Sequence, residues 1–230
     1  MNKRIILGIG SGRCGTLSLA HVLNRQPGVQ VSHEERPRLP WKKLPGEQVI
    51  RERFVRMRRS REGRVLGDVA SFYLPYVEDA IAVEPGIRMV CLRRPREEVV
   101  QSFCRWLDQV HPLPTNHWAV RPALGWYHEP DWTRIFPQYD TQDREEGIRR
   151  YWNEYYARID QMIRLYPEHI LLYETDQALN TEDGLRDLLS FIGIPADKQV
   201  IALGVNVHET KKPSSVCSPG AGPRQQCADL

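Results

Sequence analysis

No stretch of this 230-residue sequence approaches the roughly 20 consecutive apolar residues that a membrane-spanning helix requires, so a helical membrane protein is not expected. The opening "MNKRIILGIG" enters an apolar strand too soon to read as a secretion signal, which makes the cytoplasm the expected location. Cysteine is sparse. Cys14, Cys91, Cys104, Cys217 and Cys227 are odd in number and scattered, with neither a C-x-x-C pair nor the Cys/His spacing of a zinc site, so reduced thiols are expected. There is no internal repeat. Charge of one sign is also scarce: a net +3 suits an anionic ligand without requiring nucleic acid. What is present is 41% hydrophobic and 27% charged residues, the balance of a globular chain long enough for a real core.

The pattern along the chain alternates. Residues 3–9 read as an apolar strand, followed by a glycine-rich turn and a helix from Thr16 that stops before Pro27-Gly28. "VQVSH" (29–33), "RVLGDVA" (64–70), "GIRMVCLRR" (86–94) and "HILLYE" (169–174) read as four more strands, each short and nearly continuously apolar as buried parallel strands are. Val99, Val100, Phe103, Trp106 and Leu107 repeat at helical spacing after the fourth run. Ile148, Tyr151, Trp152, Tyr155, Ile159 and Met162 mark one face of a longer helix, and Leu185, Leu188, Leu189 and Ile192 mark another. This alternation predicts an α/β fold: a three-layer sandwich with a central parallel sheet and helices on both faces. The expected organisation is a single domain over 1–212, a functional cover or insertion at 111–143 with no sustained period, and a flexible tail at 213–230.

The turn after the first strand, "GIGSGRCGTLSL", has the glycine spacing of a nucleotide triphosphatase loop, G-x-x-x-x-G-K-[ST], without its lysine. Thr16 follows Gly15 directly. Backbone N–H groups from Gly12 to Thr16 can still cradle an anion at a helix N-terminus, and Arg13 brings a charge into the loop. The alternative is a tight turn whose glycines only allow close packing. A second motif, "CLRRPREEVVQSF", sets Arg93 and Arg94 at a strand end, with Ser102 eight positions after Arg94. A guanidinium fork and a hydroxyl so placed can bind one phosphate jointly, although a surface arginine pair and a helix serine would look the same.

Together with the strand order, these motifs resemble the sulfotransferases that use 3'-phosphoadenosine 5'-phosphosulfate (PAPS). "GSGRCGTLSL" resembles their loop for the 5'-phosphosulfate, Arg94 with Ser102 resembles their 3'-phosphate site, and "ILLYETDQALNTEDGLRDLLSFIGIP" resembles a later strand and leucine-rich helix. The resemblance spans roughly residues 3–195. It implies a P-loop-like fold and Ser11, Gly12, Arg13, Cys14, Gly15, Thr16 and Leu17 around the donor. Lys211 and Lys212 either close over the nucleotide, as a basic C-terminal segment does in that family, or form a solvated run. The sequence departs from the family where Arg13 or its neighbour replaces a loop lysine that many eukaryotic members have. The proline of "RRP" is also one residue off the usual spacing, so both Arg93 and Arg94 are kept as 3'-phosphate ligands. The loop is closer to bacterial and small-molecule members.

Sulfuryl transfer resembles phosphoryl transfer in relying on positioning and electrostatic stabilisation, and no metal is expected. It needs a base for the acceptor proton. "VSHEERP" follows the second strand, whose C-terminal end belongs at the ligand crevice of an open parallel sheet. By resemblance to bacterial members Glu34 is the first candidate, with His33 and Glu35 behind it; a solvated loop is the alternative. Arg13 and the loop amides would stabilise the leaving phosphate. Asp68 is read chiefly as a helix cap and otherwise as a positioning group. Residues 51–64, with seven arginines and two glutamates, read as a solvated helix over Phe54, Val55 and Met57, or else as a polyanion surface. Trp118, Trp126 and Trp132 are either an acceptor wall or core anchors. The reading is thus a PAPS-dependent sulfotransferase, releasing 3',5'-bisphosphoadenosine, for a hydroxyl or amine on a small-molecule or carbohydrate acceptor. The rivals are a P-loop nucleotide kinase or hydrolase and a non-catalytic nucleotide or polyanion binder.

Overall fold

Ile5, Ile6, Leu7 and Ile9 lie side by side in one strand and none is more than 3% exposed, which is possible only for a strand covered on both faces. This strand, β1 (Arg4–Ile9), is central in the computed structural model, which describes residues 3–204 apart from 122 and 128. It leads through the glycine turn into α1 (Thr16–Asn24) and then β2 (Val29–His33). Next come α2 (Gln48–Ser60), β3 (Val65–Val69), a 3-10 turn at Ser71–Tyr76, and α3 (Val77–Val83). The chain continues through β4 (Arg88–Arg93), α4 (Arg96–Val110), α5 (Pro130–Thr133) and α6 (Arg144–Leu165). β5 (Ile170–Glu174), α7 (Thr175–Asn180) and α8 (Glu182–Phe191) complete the alternation.

The five strands form one parallel sheet in the order β2-β3-β1-β4-β5. The connection from β1 to β2 runs one way across the sheet, and those from β3 to β4 and β4 to β5 run the other way. Right-handed crossovers therefore put α1 on one face and the helices between β3 and β5 on the opposite face. β1 and β4 are neighbours whose connections diverge, and the ends of such strands open a crevice. The three-layer α/β architecture expected from the sequence is what forms.

Two local expectations change. Within 111–143, where no period was visible, Trp118 is fully buried, with its ring 4.7 Å from Phe136 and 5.1 Å from Phe103 between centroids. Bridges join Thr115 to Tyr127 and Ala119 to Tyr139. In α2, Phe54 and Met57 are buried as expected, but Val55 is 39% exposed and Arg53 takes the inward position at 2%. The solvated helix of the sequence reading thus sends one arginine into the core. Lys211, Lys212 and the 213–230 tail lie outside the described residues.

Candidate active site

The turn from β1 to α1 needs its glycines. Gly12 and Gly15 have φ of 79° and 92°, and a Cβ on Gly15 would come within 2.8 Å of Thr175 Cγ2. Arg13 is held at φ 53° and Glu34, in the loop after β2, at φ 54°; among the described residues these are the two non-glycine positive-φ positions. Backbone in that region costs of order 1–3 kcal/mol and persists only where its surroundings enforce it. Both residues line one cavity.

Tyrosines from α6 hold the loop from beneath. Tyr155 Oη accepts from Gly10 N at 2.9 Å and donates to Ser71 O at 3.2 Å. Tyr156 Oη accepts from Ser11 N at 3.4 Å and donates to Leu92 O at 2.7 Å. Thr175, the first residue of α7, shares its hydroxyl proton between Cys14 O (2.7 Å) and Arg93 O (3.0 Å), tying the loop to the end of β4. Sequence reading took Tyr155 only as a buried-face residue and missed these supports. The signal was there, because a buried tyrosine hydroxyl requires a partner.

Above these supports, the amides of Arg13, Gly15 and Thr16 have no acceptor among the described residues, as expected for the open N-terminus of a helix. The cavity there, about 170 Å³, is lined by Gly12, Arg13, Gly15, Thr16, His33 and Glu34 on its polar side. Ser71 and the rings of Phe103, Trp106, Trp132 and Phe136 complete it. Of the candidate tryptophans, Trp132 is thus wall and Trp118 core. His33 Nε2 is 3.1 Å from Thr16 Oγ1. Burial pushes the Glu34 carboxyl above the ordinary glutamate range, opposed by Arg38, whose Nη2 lies 3.6 Å away.

Glu35 faces elsewhere. Its carboxylate pairs with Arg56, within α2, at 3.2 Å and with Arg61, just after that helix. Asp68 does not cap the next helix, as the 3-10 turn begins from Ala70 with no side-chain cap. Fully buried, it accepts from Ser32 Oγ (2.7 Å), Tyr73 Oη (2.8 Å) and Glu35 N (3.1 Å), with Arg53 at 3.7 Å. It anchors the β2 loop that presents His33 and Glu34. Ser11 and Cys14 are buried, and burial raises the Cys14 thiol to about 11, so it is neutral filling for the loop. Leu17 is half-buried outside the cavity lining.

Ser102 accepts from Arg13 Nε at 3.2 Å. Arg94 pairs with Glu98 at 2.7 Å and Arg93 with Glu174 at 2.6 Å, so neither contacts Ser102. The two arginines part ways. Burial lowers the pKa of Arg13, and so do the charges of Arg94 and Arg105, so two further guanidinium groups act on Arg13. Arg93 lies instead in a separate hollow beside Tyr173, Glu174, Asp183 and Asp187. Arg105 escaped the sequence reading because nothing in "SFCRWL" separates it from any other surface arginine. Among the described residues no helix is long and apolar enough to cross a membrane.

In solved structures, the chain is similar to a sulfotransferase from Alicyclobacillus acidocaldarius, with 15% identity, TM-score 0.54, and coverage of 89% of this chain and 87% of that one. At this identity the match speaks to the fold. Weaker similarities are to a sugar kinase from Janibacter sp. HTCC2649 (10% identity, TM-score 0.47, 86% and 99% of the two chains) and a shikimate kinase from Bacteroides thetaiotaomicron (10%, 0.40, 84% and 99%). No curated protein matches the sequence. The model of the sulfotransferase domain family matches residues 5–201, almost the whole sheet and its helices, and the chain belongs to the sulfotransferase family.

Proposed function

We propose that the protein transfers a sulfuryl group from PAPS to a hydroxyl of a small acceptor. The observation carrying this reading is that the loop residues Gly12, Arg13, Gly15 and Thr16 line one cavity with His33 and Glu34. The residues fit such a donor: the amides of Arg13, Gly15 and Thr16 are open, Arg13 donates to Ser102, and the charges of Arg94 and Arg105 act on Arg13. In this reading the cradle with Arg13 holds the 5'-phosphosulfate and Arg94, rather than Arg93, joins Ser102 at the 3'-phosphate. The donor supplies an activated sulfuryl group on a phosphate leaving group.

The chain's own work is positioning and charge. Glu34, raised by burial, accepts the acceptor's hydroxyl proton as its oxygen attacks sulfur. Arg13, the loop amides and Thr16 stabilise the charge gathering on the leaving oxygen. His33, at hydrogen-bond distance from Thr16, keeps that hydroxyl oriented. The aromatic wall excludes water, which would otherwise compete as acceptor.

Labelled PAPS incubated with sugars, lipids, phenols and polyketide alcohols, followed by mass spectrometry, tests the reaction, with sulfated product expected. A thermal-shift comparison tests the donor: 3',5'-bisphosphoadenosine should stabilise the fold. Stabilisation by ATP with magnesium but not by bisphosphoadenosine would overturn the proposal in favour of a nucleotide kinase or hydrolase.

A further inference from the structure

Beyond Trp132, on the side away from the cradle, the β2 loop and α5 enclose a second hollow of about 380 Å³, lined by Arg36, Pro37, Arg38, Asp131 and Arg134. Its volume lies within the range of small-ligand sites, about 300–1,000 Å³. The lining holds three arginines and one carboxylate, Asp131. Arg38 is already engaged inward: it pairs with Glu34, and its guanidinium lies 3.9 Å over the Trp132 ring. Since Glu34 and Trp132 both line the first cavity, Arg38 borders both spaces.

The other two arginines are not spent in this way. Arg134 donates to the carbonyl of Arg38, and its own carbonyl accepts from Trp41 N at 2.8 Å, which fixes α5 against the β2 loop. Neither Arg36 nor Arg134 forms an ion pair with a carboxylate among the described residues, and Arg38 Nε is buried without a hydrogen-bond partner. Gathered cations repel one another, and an arginine fork matches a planar carboxylate or a phosphate or sulfate edge.

We propose that this hollow is an oxyanion subsite of the acceptor: Arg36 and Arg134, backed by Arg38, bind a phosphate, sulfate or carboxylate carried by the molecule whose hydroxyl meets Glu34. The inference rests on the sulfuryl-transfer reading and names its substrate class, an acceptor that already bears a negative group on the far side of Trp132. Neutral alcohols of the same size would lack the contact.

Calorimetric titration with inorganic phosphate, sulfate and acetate tests it, using the full chain with bisphosphoadenosine present to fill the cradle. The comparison is wild type against Arg36→Gln/Arg134→Gln and, because Arg134 also donates to the Arg38 carbonyl, against Arg36→Gln alone at an exposed position, with circular dichroism verifying that each folds. At least one anion should bind wild type tenfold or more tightly than the double variant, and the best of the three identifies the group. Bisphosphoadenosine should bind wild type and variants alike. Equal anion affinity in wild type and variants, or none in any, overturns the subsite. In the acceptor panel, the compounds turned over should carry an oxyanion and lose at least tenfold in kcat/KM in the double variant. Turnover confined to neutral acceptors and unchanged by the substitutions also overturns it. Failure of bisphosphoadenosine to bind would count against the donor reading instead, and the difference between wild type and variant in anion binding would still report on the hollow.

Discussion

Glu34 combines three properties that a solvated loop carboxylate lacks: a positive φ, a place in the cavity wall, and a carboxyl that burial holds above its usual range. A base must be ionised to act, so a raised pKa means that activity disappears as pH falls through a value above the ordinary glutamate figure of about 4.3. The kcat/KM profile of wild type should show this acid limb. Glu34→Gln should lower turnover by about 10²–10⁴-fold, the usual contribution of a general base, and abolish the limb. Undiminished turnover would remove Glu34 from the mechanism, and a limb that persists in the variant would point to another group, His33 first. The sequence made His33, Glu34 and Glu35 equivalent by position. What separates them is which way each side chain turns, and that depends on Arg56 and Arg61, two arginines contributed by a later helix and its end. No local pattern records such a pairing.

Among the elements, α2 is where composition misleads most. Its arginines suggest a surface helix, yet Arg53 is buried and donates to Tyr73 Oη at 3.1 Å and to the carbonyls of Glu35 and Pro37, beside fully buried Asp68. The helix thereby clamps the β2 loop and, through it, Glu34. Replacing Arg53 by Met would strand the Asp68 carboxylate in the core, and breaking a buried pair in this way costs about 3–5 kcal/mol. Urea unfolding should show a loss of that size for Arg53→Met and a smaller one for Arg53→Met/Asp68→Asn, where the stranded charge is also removed. A loss below about 1 kcal/mol, the level of an exposed pair, would mean that the clamp does not form. The strands were legible to within about two residues because buried parallel strands are nearly unbroken apolar runs. The 111–143 segment was not, because its order comes from Trp118, Phe103 and Phe136 meeting across the sequence rather than from any period.

For the whole molecule the question is what a net charge of +3 spread over 32 Lys and Arg residues can attract. Counted along the chain, residues 51–64 look like a polyanion surface. In the fold, Arg53 is buried beside Asp68, Arg56 and Arg61 hold Glu35, Arg58 holds Glu84, and Arg51 has an exposed pair with Glu47 at 3.1 Å. Only Arg51, by giving up its exposed partner, and Arg59, which pairs with no carboxylate among the described residues, are then at hand on α2 to meet phosphates. Each phosphate neutralised on duplex DNA contributes about −0.9 to the slope of log K against log salt concentration. If only Arg51 and Arg59 meet phosphates, the wild-type slope of DNA binding should be no steeper than about −2 and should vanish when both are replaced by Gln, whereas a run meeting phosphates as a whole would give a wild-type slope of about −5 or −6. Fluorescence anisotropy with a labelled duplex between 50 and 200 mM salt, roughly the range where such slopes are read, makes the comparison. A wild-type slope near −5 or −6, of which about 2 is lost with Arg51 and Arg59 and about 2 more with Arg56 and Arg61, would show that the ion pairs to Glu35 open to polyanions. The β2 loop would then be released by whatever binds α2, and turnover would fall as the polyanion is added. With the pairs intact, added duplex should leave turnover unchanged, because the arginines that matter to the site are already spent holding it together.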